Sequence, residues 1–197
     1  MADVLKTLGA SNHSEDCREE NDYYATPEEA VIELLEREKF YSIIIEPAVG
    51  GGHIAEVLEN HDYFVQGYDI VDRGYKNTIV KDFLSVSDKD LPYKFDIVTN
   101  PPYGIAEKFV SHCINLVPTG SKIAMLLPIR FLEGQNRYKI INSVNPPKRC
   151  HIFVKRIACY KNGIFTKKAS AVCYCWFIWE KGYTGKTEID WIPPKEG

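Results

Sequence analysis

The chain has 197 residues, of which 45% are hydrophobic and 26% charged, and these globular values exclude a fibrous or disordered protein. The net charge of −3 conceals a stretch between Glu133 and Glu180 that has nine basic residues and no acidic one, so it carries +9 and the rest −12. The six cysteines show no zinc-ligand spacing, and the longest apolar run, Ala171–Trp179, has nine residues, too few to span a bilayer. We therefore expect one cytoplasmic domain with reduced thiols, no metal ion and no membrane contact.

The predicted elements begin with an acidic arm over residues 1–22, which lacks the basic start and apolar core of a signal peptide. A single domain over 23–197 follows. It starts with a helix from an N-cap at Thr26 to about Glu38, because Pro27 and two glutamates open a helical apolar pattern. The rest of the domain alternates strands and helices: strand Tyr41–Ile45, helix His53–Asn60, strands Tyr63–Ile70, Asn77–Val80 and Phe95–Thr99, helix Ile105–Val117, strand Lys122–Leu127, helix Arg130–Val144, and strands Cys150–Ala158 and Ala171–Trp179.

This alternation predicts an α/β fold with a parallel sheet that is covered by helices on both faces. The last two strands are joined by a turn at Lys161-Asn162-Gly163 with no helix between them, so one of them is predicted to run antiparallel.

A glycine-rich turn follows the first buried strand and opens the next helix. In open α/β sheets, ligands bind at this end of the strands, and glycines let the backbone approach them closely. Asp69 ends the next strand 19 residues after Gly50, where an acidic side chain commonly accepts hydrogen bonds from ribose hydroxyls. The pair predicts a site for an adenosine-bearing cofactor, with a purely structural turn and a capping aspartate as the alternative.

The second motif is Asn100-Pro101-Pro102-Tyr103, which directly follows a strand. Two prolines fix the backbone and remove two N–H donors, so the asparagine amide oxygen and a rigid carbonyl form a pair of acceptors suited to an exocyclic amino group. Tyr103 adds a flat surface for an aromatic ring. The alternative is a strand-ending turn, which is how we interpret Asn145-Pro146-Pro147-Lys148, since it follows a helix and lacks the aromatic residue.

In this order and spacing, Glu46-Pro47-Ala48-Val49-Gly50-Gly51-Gly52 and Asn100-Pro101-Pro102-Tyr103 resemble S-adenosylmethionine-dependent amino methyltransferases. The resemblance covers roughly residues 23–180 and is greatest to DNA adenine-N6 methyltransferases, especially small phage-type members. It implies the class I methyltransferase Rossmann-like fold, with a seven-stranded, mostly parallel sheet whose last strand is antiparallel.

The resemblance also implies roles for individual residues. The segment around Tyr24 would hold the methionine part of the cofactor, Asp69 and Ile70 the ribose and adenine, and Asp82 the adenine amino group. The implied cofactor-binding residues are Tyr24, Thr26, Glu46, Pro47, Ala48, Gly50, Gly52, Asp69, Ile70, Asp82, Phe83 and Asn100, and the implied catalytic residues are Asn100, Pro101, Pro102 and Tyr103.

The basic loop before the last strand is the predicted contact with nucleic acid, because basic and aromatic residues on one loop suit phosphate contacts and base stacking. Its residues Lys161, Lys167 and Lys168 would contact phosphate. The resemblance implies that the target base is flipped out of the nucleic acid, and Phe165 would stack on this flipped base together with Tyr103. The alternative is a solvated, lysine-rich turn.

Several alternatives of function stay open at the level of sequence. The nucleic acid is DNA or, alternatively, RNA, and cytosine-N4 transfer uses a closely similar tetrapeptide. A protein glutamine-N5 methyltransferase and a catalytically silent module that binds DNA or protein use the same fold. No separate target-recognition region is evident, so a protein partner is a further candidate source of sequence specificity, and the oligomeric state is open.

Overall fold

The computed structural model describes residues 23–161 and 172–195. Their elements are, in chain order, β1 (Tyr24–Ala25), α1 (Glu28–Arg37), β2 (Ile43–Glu46), α2 (His53–Glu59), β3 (Phe64–Asp69), β4 (Thr78–Val80), β5 (Asp96–Thr99), α3 (Ala106–Leu116), β6 (Lys122–Pro128), α4 (Gln135–Arg137), β7 (Arg149–Phe153), β8 (Tyr160–Lys161), β9 (Tyr174–Glu180) and β10 (Glu188–Ile192). Short 3₁₀ turns lie at Phe83–Ser85, Asp88–Asp90, Tyr103–Ile105 and Ile129–Leu132, and a π turn at Tyr138–Asn142 follows α4.

Eight strands form one sheet in the order β10-β7-β9-β6-β5-β2-β3-β4, and β1 and β8 form a separate antiparallel pair. Within the large sheet, β9 runs antiparallel to both of its neighbours, β6 and β7, while the other pairs are parallel. The predicted α/β class, the mostly parallel sheet and the reversed strand are therefore confirmed.

The sheet has one strand more than predicted, and the reversed strand is not the last. Strand β10 follows it and lies parallel to β7 at the edge of the sheet. Four of its five residues are exposed and only Ile192 is buried, so the strand has no continuous apolar run of the kind that marks buried parallel strands.

Hydrophobic clusters cover the two faces of the sheet. Successive strand residues point to opposite faces, so Ile44 packs with the helices α1 and α2 whereas Ile45 packs with α3. On β9, Trp176 belongs to the first cluster, where its indole Nε1 donates to the carbonyl of Ala30 at 2.8 Å, and Phe177 belongs to the second. Both faces of the central strands are thus buried, as the sequence pattern predicts.

Local differences from the predicted elements have physical causes. Thr26 is not the N-cap of α1, since that position belongs to Pro27 and no side chain caps the helix. The predicted helix Arg130–Val144 is broken, because Gly134 has a φ of 112°, which no α-helix contains. Strand β7 ends at Phe153 instead of Ala158.

A buried carboxylate, Glu38, joins the end of α1 to the amino ends of β6 and β7. Its oxygens accept from Lys122 Nζ at 2.7 Å, from Arg149 Nη2 at 2.9 Å and from His151 Nε2 at 3.1 Å. Burial alone raises the pKa of Glu38, but the hydrogen bonds from His151, Arg149 and Lys122 outweigh it and hold that pKa well below its usual range. This charged cluster fixes the amino edge of the sheet, opposite the edge where ligands bind.

Candidate active site

The described residues line a pocket, here called the main cavity, at the carboxyl ends of β2, β3 and β5. Of the twelve predicted cofactor-binding residues, the structure brings ten together in its wall: Tyr24, Thr26, Glu46, Pro47, Ala48, Asp69, Ile70, Asp82, Phe83 and Asn100. They converge because the carboxyl ends of parallel strands meet at one edge of the sheet.

The other two predicted residues, Gly50 and Gly52, lie behind the wall and do not line the cavity. Their φ angles are +54° and +86°, in the left-handed region, and a Cβ at Gly52 would overlap the ring of Tyr75. The Gly50 amide donates to Asp69 Oδ2 at 2.9 Å, so it is not directed at a ligand. In this structure the glycines allow a tight turn and close packing.

The two predicted aspartates are held by backbone amides. Asp69 accepts from Gly50 on one oxygen and from the Val71 amide, at 3.0 Å, on the other, while Asp82 Oδ1 accepts from the Leu84 amide at 2.9 Å. A carboxylate has about four acceptor sites, so each aspartate keeps acceptor capacity for hydroxyl or amino groups of a ligand.

Glu46, the last residue of β2, is fully buried in the wall of the main cavity. It accepts a hydrogen bond from the Ala55 backbone, but its Oε2 atom has no partner among the described residues. Burial, with a smaller effect of the Asp69 charge, raises the pKa of Glu46 well above its usual value. An unpartnered buried carboxyl oxygen is costly, so this atom fits a ligand that brings a donor or a positive charge.

The side-chain amide of Asn100 has a defined orientation. Its Nδ2 donates to the Thr26 hydroxyl oxygen at 3.1 Å and to the Tyr24 carbonyl at 3.3 Å, and Cys159 Sγ lies 4.0 Å away. Since acceptors surround the nitrogen, Oδ1 must point the other way, and it is buried without a partner among the described residues. The wall of the main cavity therefore contains an amide whose oxygen is oriented, buried and available as an acceptor.

Tyr103 packs against two other aromatic rings. Its centroid is 6.1 Å from that of Tyr24, with the rings 16° from parallel, and 6.0 Å from that of Tyr174. Burial raises the pKa of the Tyr103 hydroxyl well above its usual value, so the phenol stays neutral. Of the predicted catalytic residues, Asn100 and Pro102 line the main cavity, whereas Pro101 is buried and Tyr103 does not line it.

Tyr103 instead contributes to a neighbouring pocket, here called the second cavity, which is lined by Tyr103, Ala106, Leu127, Pro128, Arg130, Phe131 and Arg137. It opens where β6 ends, so it lies at the same edge of the sheet as the main cavity. The Asn-Pro-Pro-Tyr turn thus contributes to the walls of both cavities.

The predicted nucleic-acid loop is described only at its start. Phe165, Lys167 and Lys168 lie outside the described residues, and of Lys161 the backbone alone is described, paired with Tyr24 across β1 and β8. The loop therefore begins beside the main cavity. Among the residues of the basic stretch whose side chains the structure describes, three form ion pairs within the fold, namely Arg137 with Glu107, Lys148 with Glu180 and Arg149 with Glu38.

Three polar residues of the main cavity were not predicted, namely Tyr23, His53 and Arg73. The Tyr23 hydroxyl accepts from the Gly51 amide at 3.2 Å and lies 3.4 Å from Nδ1 of His53. The guanidinium of Arg73 lies 4.5 Å from the centroid of the Tyr23 ring. Tyr23 and His53 are next to predicted motifs, since Tyr23 precedes Tyr24 and His53 follows the glycine turn, and this position could have indicated them. The loop containing Arg73 adjoins no predicted motif.

Among the described residues, neither a metal centre nor a membrane-spanning helix is found. Within the described ranges, no group of three or more His, Cys, Asp or Glu side chains is arranged to hold a metal ion. No helix in the same ranges is long and apolar enough to cross a bilayer.

Comparison of the sequence with protein-family models and with curated proteins gives no match. Comparison of the fold with solved structures does. A Listeria monocytogenes protein described as a class I S-adenosylmethionine-dependent methyltransferase matches with a TM-score of 0.58 and 15% identity, over 83% of this chain and 62% of that one. The M protein of the type I restriction enzyme EcoKI matches with a TM-score of 0.55 and 18% identity, over 81% of this chain and 44% of that one. The 23S rRNA methyltransferase ErmE matches with a TM-score of 0.56 and 17% identity, over 81% of this chain and 70% of that one.

This is the class I methyltransferase fold. The chain spans 62% of the first of these proteins and 44% of the second. Within the class I methyltransferase fold of this chain, the antiparallel β9 lies between β6 and β7, and the main cavity lies on the opposite half of the sheet, over β2, β3 and β5.

Proposed function

We propose that the protein transfers a methyl group from S-adenosylmethionine to the exocyclic N6 amino group of adenine in DNA. The observation that carries this proposal is the buried Oδ1 of Asn100, which has no partner among the described residues and whose orientation in the wall of the main cavity is set by the two acceptors around Nδ2. The resemblance of the Asn-Pro-Pro-Tyr motif to adenine-N6 methyltransferases supports the choice of base. Structural likeness to a restriction-enzyme M protein and to an rRNA methyltransferase supports a nucleic-acid substrate.

The main cavity suits S-adenosylmethionine in the chemistry of its wall. The unpartnered oxygen of Glu46 fits a cofactor that carries an ammonium and a sulfonium group, because a bound cation favours the carboxylate form. Asp69 would accept from the ribose hydroxyls and Asp82 from the adenine amino group, with the apolar side chains of Ile70 and Phe83 beside the adenine ring. When bound, the cofactor supplies an electrophilic methyl group.

The residues of the Asn-Pro-Pro-Tyr turn would make the adenine amino nitrogen more nucleophilic. The lone pair of an adenine amino nitrogen is delocalised into the ring, so the nitrogen is a poor nucleophile while it stays planar. If Asn100 Oδ1 and the Pro101 carbonyl oxygen accept both amino hydrogens, they favour a pyramidal nitrogen with an available lone pair. In a duplex, the base must first be flipped out, at a cost of a few kcal/mol, and stacking on Tyr103 would offset part of it. Positioning and electrostatics would then account for catalysis.

The test is methyl transfer from labelled cofactor to DNA, RNA and protein, followed by identification of the methylated product. We expect N6-methyladenine in DNA, no transfer by Asn100→Ala, and calorimetric cofactor binding by both proteins. Asn145→Ala is the matched control, because it removes the same side chain from the Asn-Pro-Pro-Lys turn and should keep full activity.

Each other result contradicts the proposal in a distinct way. Label in RNA, on cytosine or on a protein glutamine would assign one of the other substrates. Cofactor binding without transfer to any of them would indicate a silent binding module, and full activity of Asn100→Ala would refute the role of the amide.

We also infer that residues 23–197 act as one methyltransferase domain, and that preference for a DNA sequence comes from the basic loop or from a protein partner. The support is the position of Lys161 on β8 beside the main cavity, together with the likeness to the modification subunits of restriction enzymes. Mapping the sites that the chain methylates alone tests this, because strict methylation of one sequence without a partner excludes the partner.

A further inference from the structure

We propose that the second cavity binds the phosphodiester backbone of the nucleic acid next to the target base, with Arg130 as the phosphate contact. This inference rests on the proposed function and names the surface that receives the substrate strand. It assigns a role to a residue that neither the motifs nor the cofactor site involves.

The position of the second cavity is the first argument. Tyr103 lies in its wall and is three residues from Asn100, so their Cα atoms are at most about 11 Å apart. A strand of B-DNA carries one phosphate for about each 3.4 Å of helix axis. When a target base reaches Asn100, the phosphates that flank it are therefore within reach of the second cavity.

The two arginines of the second cavity differ in their surroundings, which is the second argument. Arg137 is fully engaged: its guanidinium donates to Glu107 Oε1 at 3.1 Å and to the Glu133 carbonyl at 2.7 Å, and it lies 5.4 Å from the centroid of the Phe131 ring. Arg130 is exposed, and its guanidinium makes no ion pair or hydrogen bond with any residue that the structure describes. Arg130 thus supplies the available positive charge.

The backbone that carries Arg130 is held in place. Its 3₁₀ turn begins directly after β6, the Ile129 amide donates to the Cys173 carbonyl at 2.8 Å, and the Glu133 amide donates to the Arg130 carbonyl at 3.1 Å. A guanidinium binds phosphate with two parallel hydrogen bonds, and a fixed backbone reduces the entropy lost on binding. The apolar side chains of Ala106 and Leu127 in the cavity wall suit the sugar beside such a phosphate.

The experiment compares Arg130→Ala and Arg130→Lys with the wild type and with Lys186→Ala. Lys186 is exposed and lies between the end of β9 and the start of β10, at the opposite edge of the sheet, so its replacement removes the same charge away from the cavity. Binding of the full chain to a labelled DNA duplex is measured between 0.05 and about 1 M salt.

One lost phosphate contact lowers the slope of log K against log salt by about 0.9, which weakens binding about eightfold at about 0.1 M salt and hardly at all near 1 M. We expect this of Arg130→Ala, a wild-type slope for Arg130→Lys, and wild-type binding for Lys186→Ala. In turnover, Arg130→Ala should raise the KM for DNA and leave kcat unchanged.

Three outcomes overturn the inference: no DNA binding by the wild type, equal losses in Arg130→Ala and Lys186→Ala, or a lower kcat in Arg130→Ala at unchanged KM. If the protein instead binds a glutamine-bearing protein substrate and that binding depends on Arg130, the phosphate assignment is wrong. The proposed function fails separately, when no methyl group reaches DNA although binding shows the Arg130-dependent slope.

Discussion

The orientation of Asn100 can be tested through Thr26, which is 3% exposed and accepts one of the two hydrogen bonds from the Asn100 amide nitrogen. In Thr26→Val a methyl group replaces the hydroxyl at nearly the same shape. One amide hydrogen then has no acceptor, and the preference for the observed orientation of the Asn100 amide weakens. The net contribution of such a hydrogen bond is about 1 kcal/mol.

A loss of about 1 kcal/mol from transition-state stabilisation lowers the rate about fivefold. We therefore expect kcat of Thr26→Val, measured with saturating cofactor and DNA, to fall about fivefold. Thr26→Ser keeps the acceptor and should keep kcat near that of the wild type. Thermal unfolding of both variants shows whether enough folded protein is present for the comparison.

The reasoning is refuted if Thr26→Val retains the wild-type kcat, or if Thr26→Ser loses as much as Thr26→Val. The second result would mean that the packing of the side chain matters and that the hydroxyl does not orient the amide. A change in KM for the cofactor alone would assign Thr26 to cofactor binding instead.

Three further predictions concern stability. Gly52→Ala places a Cβ at a φ of +86° against Tyr75, so denaturant unfolding should show a loss of at least about 1 kcal/mol, and unchanged stability would contradict the turn geometry. The raised pKa of Glu46 means that its stabilising contribution is full below the unfolded pKa near 4.5 and is lost as pH rises through the folded pKa. Glu46→Gln should therefore melt higher at pH 8 and depend less on pH; a lower melting temperature would count against this. Glu38→Ala leaves buried His151 and its neighbour Arg149 without their acceptor and should cost about 3–5 kcal/mol at pH 7. Because the pKa of Glu38 is lowered, wild-type stability should decline as pH falls below about 4.5, and no such decline in acid would oppose the assignment.

The positions of the central strands along the chain could be predicted because strands buried on both faces consist of continuous apolar residues. Strand β10 could not, because its side chains alternate without forming a buried run: Ile189 and Trp191 are 52% and 58% exposed. The broken helix after β6 could not be predicted either. The residues around Gly134 show helical apolar spacing, and a single glycine at a φ of 112° interrupts the pattern.

The candidate site was predictable where it depends on the ends of strands. Glu46, Asp69 and Asn100 each end or follow a parallel strand, so the sheet itself brings them together. The stacking of Arg73 on Tyr23 depends on the path of a loop and on a segment 50 residues away, and neither periodicity nor spacing reports such a path. The same applies to the amide of Gly50, which bonds to Asp69 instead of facing a ligand.

The packing of Tyr103 against Tyr24 and Tyr174 has a consequence for the entropy of substrate binding under the proposed function. A free aromatic side chain loses rotamer freedom when a base stacks on it, at a cost of about 0.5–1.5 kcal/mol for each side chain immobilised. In this fold, the half-buried Tyr103 ring has already lost that freedom when the chain folds. The energy of stacking a target base on the accessible part of the ring would therefore offset the cost of flipping, since none of it would be consumed in ordering the ring.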